Sequence, residues 1–206
     1  LENAESDQEF QDIVTEFYKE FGVGKFGLNK AFHIIMDDEA KQVDIEPITR
    51  VEHIELSDLV GYELAKQKLI DNTEAFVNGK QANNCLLYGD AGTGKSTSIQ
   101  ALVNEYAGQG LRLIELYKEQ YDLIPDILRQ VKGRNYRFLL FLDDLSFEEN
   151  ETSYKYLKAV MEGGAEAPPE NVRICATSNR RHLVREVWSD RGDVEHNGDI
   201  HRSDTV

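Results

Sequence analysis

The stretch that decides the fold is Asn84-Cys85-Leu86-Leu87-Tyr88-Gly89-Asp90-Ala91-Gly92-Thr93-Gly94-Lys95-Ser96, a short apolar run that opens into G-x-x-x-x-G-K-S. That spacing is the phosphate-binding loop of nucleoside triphosphatases. Glycine reaches backbone angles closed to other residues, so the N–H groups of Gly89, Asp90, Ala91, Gly92, Thr93 and Gly94 can converge on one anion. Lys95 adds a cation for the β- and γ-phosphates, and the Ser96 hydroxyl suits Mg²⁺. Ile99, Leu102, Val103 and Tyr106 follow at helical spacing. They predict a helix whose first turn, Lys95 to Thr97, points its positive dipole end at the same site. An accidental glycine-rich turn would need neither flank.

Outward from the loop, apolar runs at 85–88, 111–116, 138–142 and 172–176 alternate with helical patterns at 95–107, 121–132 and 151–162. Uniformly apolar strands joined by helices indicate a parallel sheet covered on both faces. Right-handed crossovers then bring all the strand ends that follow the chain direction to one edge. The landmarks at that edge are Gly89, Asp143 and Asn179. A helix over about 64–77, stopped at Gly79, precedes the loop.

Arg137-Phe138-Leu139-Leu140-Phe141-Leu142-Asp143-Asp144 is an apolar strand ending in two acids. A carboxylate at a strand end is costly unless a cation meets it. Mg²⁺ held by Ser96 and nucleotide oxygens supplies one, so Asp143 is read as serving the metal through coordinated water. Asp144 is read as orienting the attacking water. A solvated acidic turn competes with this, since Glu148, Glu149 and Glu151 follow. Val172-Arg173-Ile174-Cys175-Ala176-Thr177-Ser178-Asn179 ends in polar residues. There Asn179 is either a partner of the γ-phosphate or attacking water, or a cap or turn former.

The 206 residues, 40% hydrophobic and 30% charged, suit one soluble domain with an extension. No apolar run approaches the ~18 residues of a membrane span, and no secretory signal opens the chain, so a cytoplasmic protein is expected. Leu1 is not an initiator Met, which suggests a fragment. Cys85 and Cys175 lie in apolar runs and read as buried, reduced thiols. A net charge of −15 argues against a broad nucleic-acid-binding surface. Arg180, Arg181 and Arg185 form a small basic group after the last strand. His196 and His201 lie in a polar tail and do not suggest a metal site.

Residues 1–57 read as an N-terminal extension. Seven carboxylates (Glu2, Glu5, Asp7, Glu9, Asp12, Glu16, Glu20) accompany a single cation, Lys19, over the first twenty residues. Ser6 with Glu9 makes a capping box, and Phe10, Ile13, Val14, Phe17, Tyr18 and Phe21 form an apolar stripe. That stripe packs on its own domain or docks a partner. A strand near Ala31–Met36 and a turn at Glu46-Pro47 are expected beyond it. The nucleotide-binding domain then runs over 58–206.

With those motifs in place, the chain resembles the AAA+ ATPases over about 55–185. The resemblance is carried by LVGY at 59–62, GDAGTGKS at 89–96, FLDDL at 141–145 and TSN at 177–179. The Asp-Asp pair, in place of the commoner Asp-Glu, resembles the replication-initiator and helicase-loader branch. GLRLIEL at 110–116, LDDLSFEE at 142–149, KAVMEGG at 158–164 and ATSNRRHL at 176–183 are similar to a bacterial family of predicted AAA+ ATPases. That family is known as domain of unknown function eight-one-five.

The resemblance implies a three-layer α/β/α sandwich of the P-loop NTPase type, with ATP and Mg²⁺ as ligands. It places the strand ending at Asn179 between the phosphate-loop strand and the acidic strand, so Asn179 would sense the γ-phosphate between Lys95 and Asp143. Val60 and Gly61 would contact adenine, and Cys85 and Cys175 would sit on neighbouring strands. A helical lid, a sensing Arg and a trans-acting Arg are implied beyond the residues present, and a homo-oligomer is implied for the full-length protein. Arg180 and Arg181 read as a solvated helix start or as an intersubunit or phosphate contact. Tyr117 and Tyr121 lack an aromatic-apolar-Gly substrate-loop signature and read as core.

Three functions fit these residues: an oligomeric ATPase remodelling a macromolecule, a nucleotide-gated adaptor or loader, and a P-loop kinase. The kinase fits least, because no Arg-bearing lid is evident.

Overall fold

A computed structural model of the chain describes residues 6, 11, 14–15, 24–37, 42–148, 157, 168–179 and 184–185. A one-turn helix α1 (Lys25–Leu28) leads into a hairpin of β1 (Ala31–Asp37) and β2 (Gln42–Pro47), followed by helix α2 (Glu63–Val77) and β3 (Cys85–Tyr88). Helix α3 (Lys95–Tyr106), β4 (Leu111–Leu116), helix α4 (Ile124–Val131) and β5 (Arg137–Leu142) come next. The chain continues through β6 (Phe147–Glu148), β7 (Val172–Ser178) and β8 (Val184–Arg185).

Six strands form one sheet in the order β2-β1-β4-β5-β7-β3. Among the described residues only β1 and β2 pair antiparallel in it; β1–β4, β4–β5, β5–β7 and β7–β3 are parallel. β6 and β8 make a separate parallel pair.

The period-two alternation of a strand sorts the core into two layers. Phe138, Leu140 and Leu142 of β5 join Ile114 and Leu116 of β4 and Ile174 and Ala176 of β7 in one cluster, packed on Ile124, Ile127 and Val131 of α4. Leu139 and Phe141 of β5 join Leu113 and Cys175 in the other, with Leu69 and Phe76 of α2 and Ile99, Leu102 and Val103 of α3. Both faces of the sheet are therefore covered, as the uniformly apolar strands predict. The result is an α/β fold of three layers.

The strand expected near Ala31–Met36 is β1. The Glu46-Pro47 turn is corrected: both residues close β2. Its residues alternate from exposed Gln42 through buried Val43 and Ile45, the period of a half-buried strand. Proline is admitted there because β2 is an edge strand, whose outer N–H groups need no ladder partner.

The hairpin lies along the free side of β4, with Ala31 opposite Leu113 and His33 opposite Glu115. Buried Arg112 of β4 anchors α1, the turn of helix that leads into the hairpin. Its Nε donates to Phe26 O at 2.6 Å, and its guanidinium stacks 4.4 Å from the centroid of the Tyr136 ring. Gln120 and Gln130 donate from their side-chain amides to Ile34 O and Val43 O.

Tyr121 is buried, as expected, but Tyr117 is exposed, which corrects its placement in the core. A six-residue 3₁₀ segment, Lys118–Leu123, replaces the start of the helix expected from 121. Of the N-terminal helical stretch, Gln11, Val14 and Thr15 are described and helical; of 151–162, only Leu157, which is helical and buried. Arg180, Arg181, His196 and His201 lie outside the described residues.

Candidate functional site

β7 lies between β3 and β5, the order that the AAA+ resemblance implies. The ends of these three strands bring the loop, the acids and the asparagine to one edge. Cys85 stands opposite Cys175 and Leu87 opposite Thr177, while Phe141 stands opposite Cys175 from the other side. Both cysteines are free thiols on adjacent strands. The hydrogen bond with Cys85, together with burial, pushes the Cys175 thiol well above its ordinary range.

The loop leaves β3 at Gly89 and enters α3 at Lys95. Gly94, the residue before the helix, has φ 81°, left-handed backbone that glycine adopts without Cβ strain. The Lys95 ammonium reaches back over the loop, donating to Gly89 O at 2.9 Å, Asp90 O at 2.7 Å and Asn179 Oδ1 at 3.0 Å. The Asn179 amide in turn donates from Nδ2 to Asp144 Oδ1 at 2.8 Å. Residues 84 positions apart thus close a chain Lys95–Asn179–Asp144 across the sheet edge.

Beside it, Ser96 Oγ donates to Asp143 Oδ1 at 2.7 Å. A hydroxyl and a carboxylate in contact at an exposed edge are hard oxygen donors that fit Mg²⁺, an ion that keeps waters and phosphate oxygens in its shell. Among the described residues no group of three or more His, Cys, Asp or Glu could hold a metal. A cation at this site would therefore depend on ligand oxygens besides those of Ser96 and Asp143.

Three further phosphate-binding candidates, Ala91, Thr93 and Thr97, follow the same path from the loop into α3. Thr93 Oγ1 donates to Asp90 O at 2.9 Å, Ala91 sits within the turn, and Thr97 lies in the first turn of α3. The adenine candidates Val60 and Gly61 approach the loop through their neighbour: a Cβ added at Gly94 would lie 3.8 Å from Leu59 Cδ2. Lys66 Nζ holds this segment by a 2.7 Å bond to Leu59 O. Val60 itself is 93% exposed, and Tyr62 and Leu64 are exposed beside it in sequence.

The polar contacts of the site include residues that spacing alone does not identify. Thr177 is 2% exposed, and its Oγ1 donates to Asp143 Oδ1 at 2.5 Å and accepts the Asp144 N–H at 2.9 Å. Ser178 Oγ donates to Leu145 O at 2.8 Å. Glu115 on β4 is half-buried, and burial first, then the Asp143 charge, raises its carboxyl above the ordinary range. The available signal was register: Thr177 and Asp143 each lie two residues beyond the opposed Cys175–Phe141 pair, on the same face of the sheet.

Asp144 has φ 51°, a left-handed angle tolerated by Asp better than by most residues but still of order 1–3 kcal/mol in cost. Its carboxylate meets Asn179 from that position.

Among proteins of known identity, the chain is 32% identical over 96 residues to the replication factor C large subunit of Methanococcus maripaludis strain C5. That match covers 44% of this chain and 19% of the relative. It is 33% identical over 87 residues to the corresponding subunit of Staphylothermus marinus, covering 42% and 20%. The chain thus spans about a fifth of the length of these curated relatives.

Among solved structures, a DnaI crystal structure aligns with a TM-score of 0.43 and 25% identity over 62% of this chain and 70% of that one. A structure of a Thermotoga maritima RuvB variant aligns with a TM-score of 0.46 and 21% identity over 64% and 43%. The family model described as "Protein of unknown function (DUF815)" matches residues 29–206, a range that takes in β1 through β8 and every residue of this site, and the chain belongs to that family.

Proposed function

We propose that this chain is the Mg²⁺-dependent ATP-binding unit of an AAA+-type ATPase that couples hydrolysis to the remodelling or loading of a macromolecule. The observation that carries the reading is the linked set Lys95–Asn179–Asp144 beside Ser96–Asp143, assembled from three strand ends. Lys95 and the loop N–H groups bind the phosphates, a helix N-terminus adding its dipole. Val60 and Gly61 lie on the adenine side, offering apolar surface and backbone hydrogen bonds.

Ser96 and Asp143 would hold Mg²⁺, which when bound would supply positive charge to the phosphate oxygens. Asp144 orients the attacking water, and Asn179, already bonded to both Lys95 and Asp144, reads the γ-phosphate between them. Oligomerisation of the full-length protein and an unidentified macromolecular substrate belong to the same reading.

Calorimetry with ATP and Mg²⁺ tests it on wild type and Lys95→Ala. A charge-assisted hydrogen bond contributes about 1.5–3 kcal/mol, so the variant should bind at least about tenfold more weakly. Equal affinity in the two proteins would sink the assignment.

A further inference from the structure

We propose that Thr177 is the positioning residue of the acidic pair: one buried hydroxyl fixes both Asp143 and Asp144, so that metal side and water side are set together. This rests on the nucleotide reading for its consequences, but not for its geometry. A hydroxyl has one proton to give and lone pairs to receive. Here the proton goes to Asp143 Oδ1 and a lone pair takes the Asp144 N–H.

The rest of the strand end grips the same turn. The Thr177 carbonyl accepts the Leu145 N–H at 2.6 Å, and Ser178 Oγ donates to Leu145 O. The turn that leaves β5 is thereby stitched to β7 at each of its three residues. The Asp144 amide, in its left-handed conformation, donates to the Thr177 hydroxyl at 2.9 Å and, at the longer 3.2 Å, to Asp143 Oδ1, and that conformation presents its carboxylate to Asn179. Asp143 Oδ1 meanwhile gathers Ser96 and Thr177, which sets the carboxylate's rotation about its own bond. Touching both acids and buried beneath them, Thr177 acts through them.

The experiment compares Thr177→Val, which keeps the shape and removes the hydroxyl, with Thr177→Ser, which keeps the hydroxyl. Thr177→Ala serves as a second hydroxyl-free variant should the valine protein not fold. The first readout is amide hydrogen exchange at Asp144 and Leu145 in protein free of nucleotide and Mg²⁺. The hydroxyl-free variants should exchange at Asp144 roughly tenfold faster, the scale of one lost hydrogen bond, and serine should restore protection.

The second readout is the Mg²⁺ concentration giving half-maximal ATP binding, with kcat and KM measured alongside. Loss of the hydroxyl should raise the Mg²⁺ requirement roughly tenfold and lower kcat more than it raises KM, with serine recovering both. Unchanged Asp144 exchange and an unchanged Mg²⁺ requirement in Thr177→Val overturn the proposal. So does a serine variant as impaired as valine, which would assign the effect to packing of the methyl group. ATP binding indifferent to Lys95→Ala instead overturns the nucleotide reading, and the exchange result still decides the role of Thr177.

Discussion

Asp143 and Asp144 are consecutive and carry the same chemistry, but their carboxylates face different partners: Ser96 and Thr177 for the first, Asn179 for the second. Under the proposed reading this division separates their variants. Asp144→Asn should retain ATP affinity within about threefold and lose turnover by at least about a hundredfold, because it disturbs water orientation alone. Asp143→Asn should weaken Mg²⁺-dependent binding itself. Nucleotide titrations with phosphate-release assays compare them, and identical behaviour of the two would refute the split. At this scale the sequence was most informative where function is local. Lys95, Ser96 and the loop follow from spacing within eight residues, and the acids from a strand's abrupt end. Asn179 required the order of strands, supplied by resemblance. Thr177 and Glu115 required register, which no stretch of a single chain carries.

Among the elements, the parallel strands were legible because burial on both faces makes them continuous apolar runs, and β3 and β4 begin and end where those runs do. The hairpin was half legible. β1 reads as a strand, but the proline of β2 reads as a turn until its position at a sheet edge is known. The hairpin also brings a chemical neighbour to β4, for it sets His33 opposite Glu115.

The Glu115 carboxyl is raised by burial and by Asp143, while His33 acts in the opposite direction. The folded protein therefore holds this proton more tightly than the unfolded chain. The sign follows: the contribution is most favourable below the ordinary value of 4.5 and declines as pH rises through the folded value, then levels off. Glu115→Gln, which cannot ionise, should gain in melting temperature over wild type between about pH 4 and about pH 8. A gap between the two proteins that stays constant over that range would show that Glu115 ionises without penalty.

Over the whole molecule, the three layers follow from composition and alternation, while the seating of the N-terminal region does not. Residues 31–47 belong to the same sheet as β3, which leads into the Gly89–Ser96 loop, although their sequence carries none of the site's motifs. Of these, β1 lies along β4 in parallel, and that pairing is what separates β4 from solvent on its outer side. A protein begun at Asp58 would present the N–H and C=O groups of Leu113, Ile114 and Glu115 as an open rail, flanked by buried leucine and isoleucine side chains. Such a rail is a template for another chain. Light scattering should find that shortened protein self-associating into growing particles, while one begun at Gly24 stays dispersed. A dispersed 58–206 chain with an unaltered melting temperature would show that β4 needs no such cover. On that expectation the hairpin, whose outer strand carries Asp44, Glu46 and Pro47, would act beyond its place in the sheet as a guard against the molecule polymerising on itself.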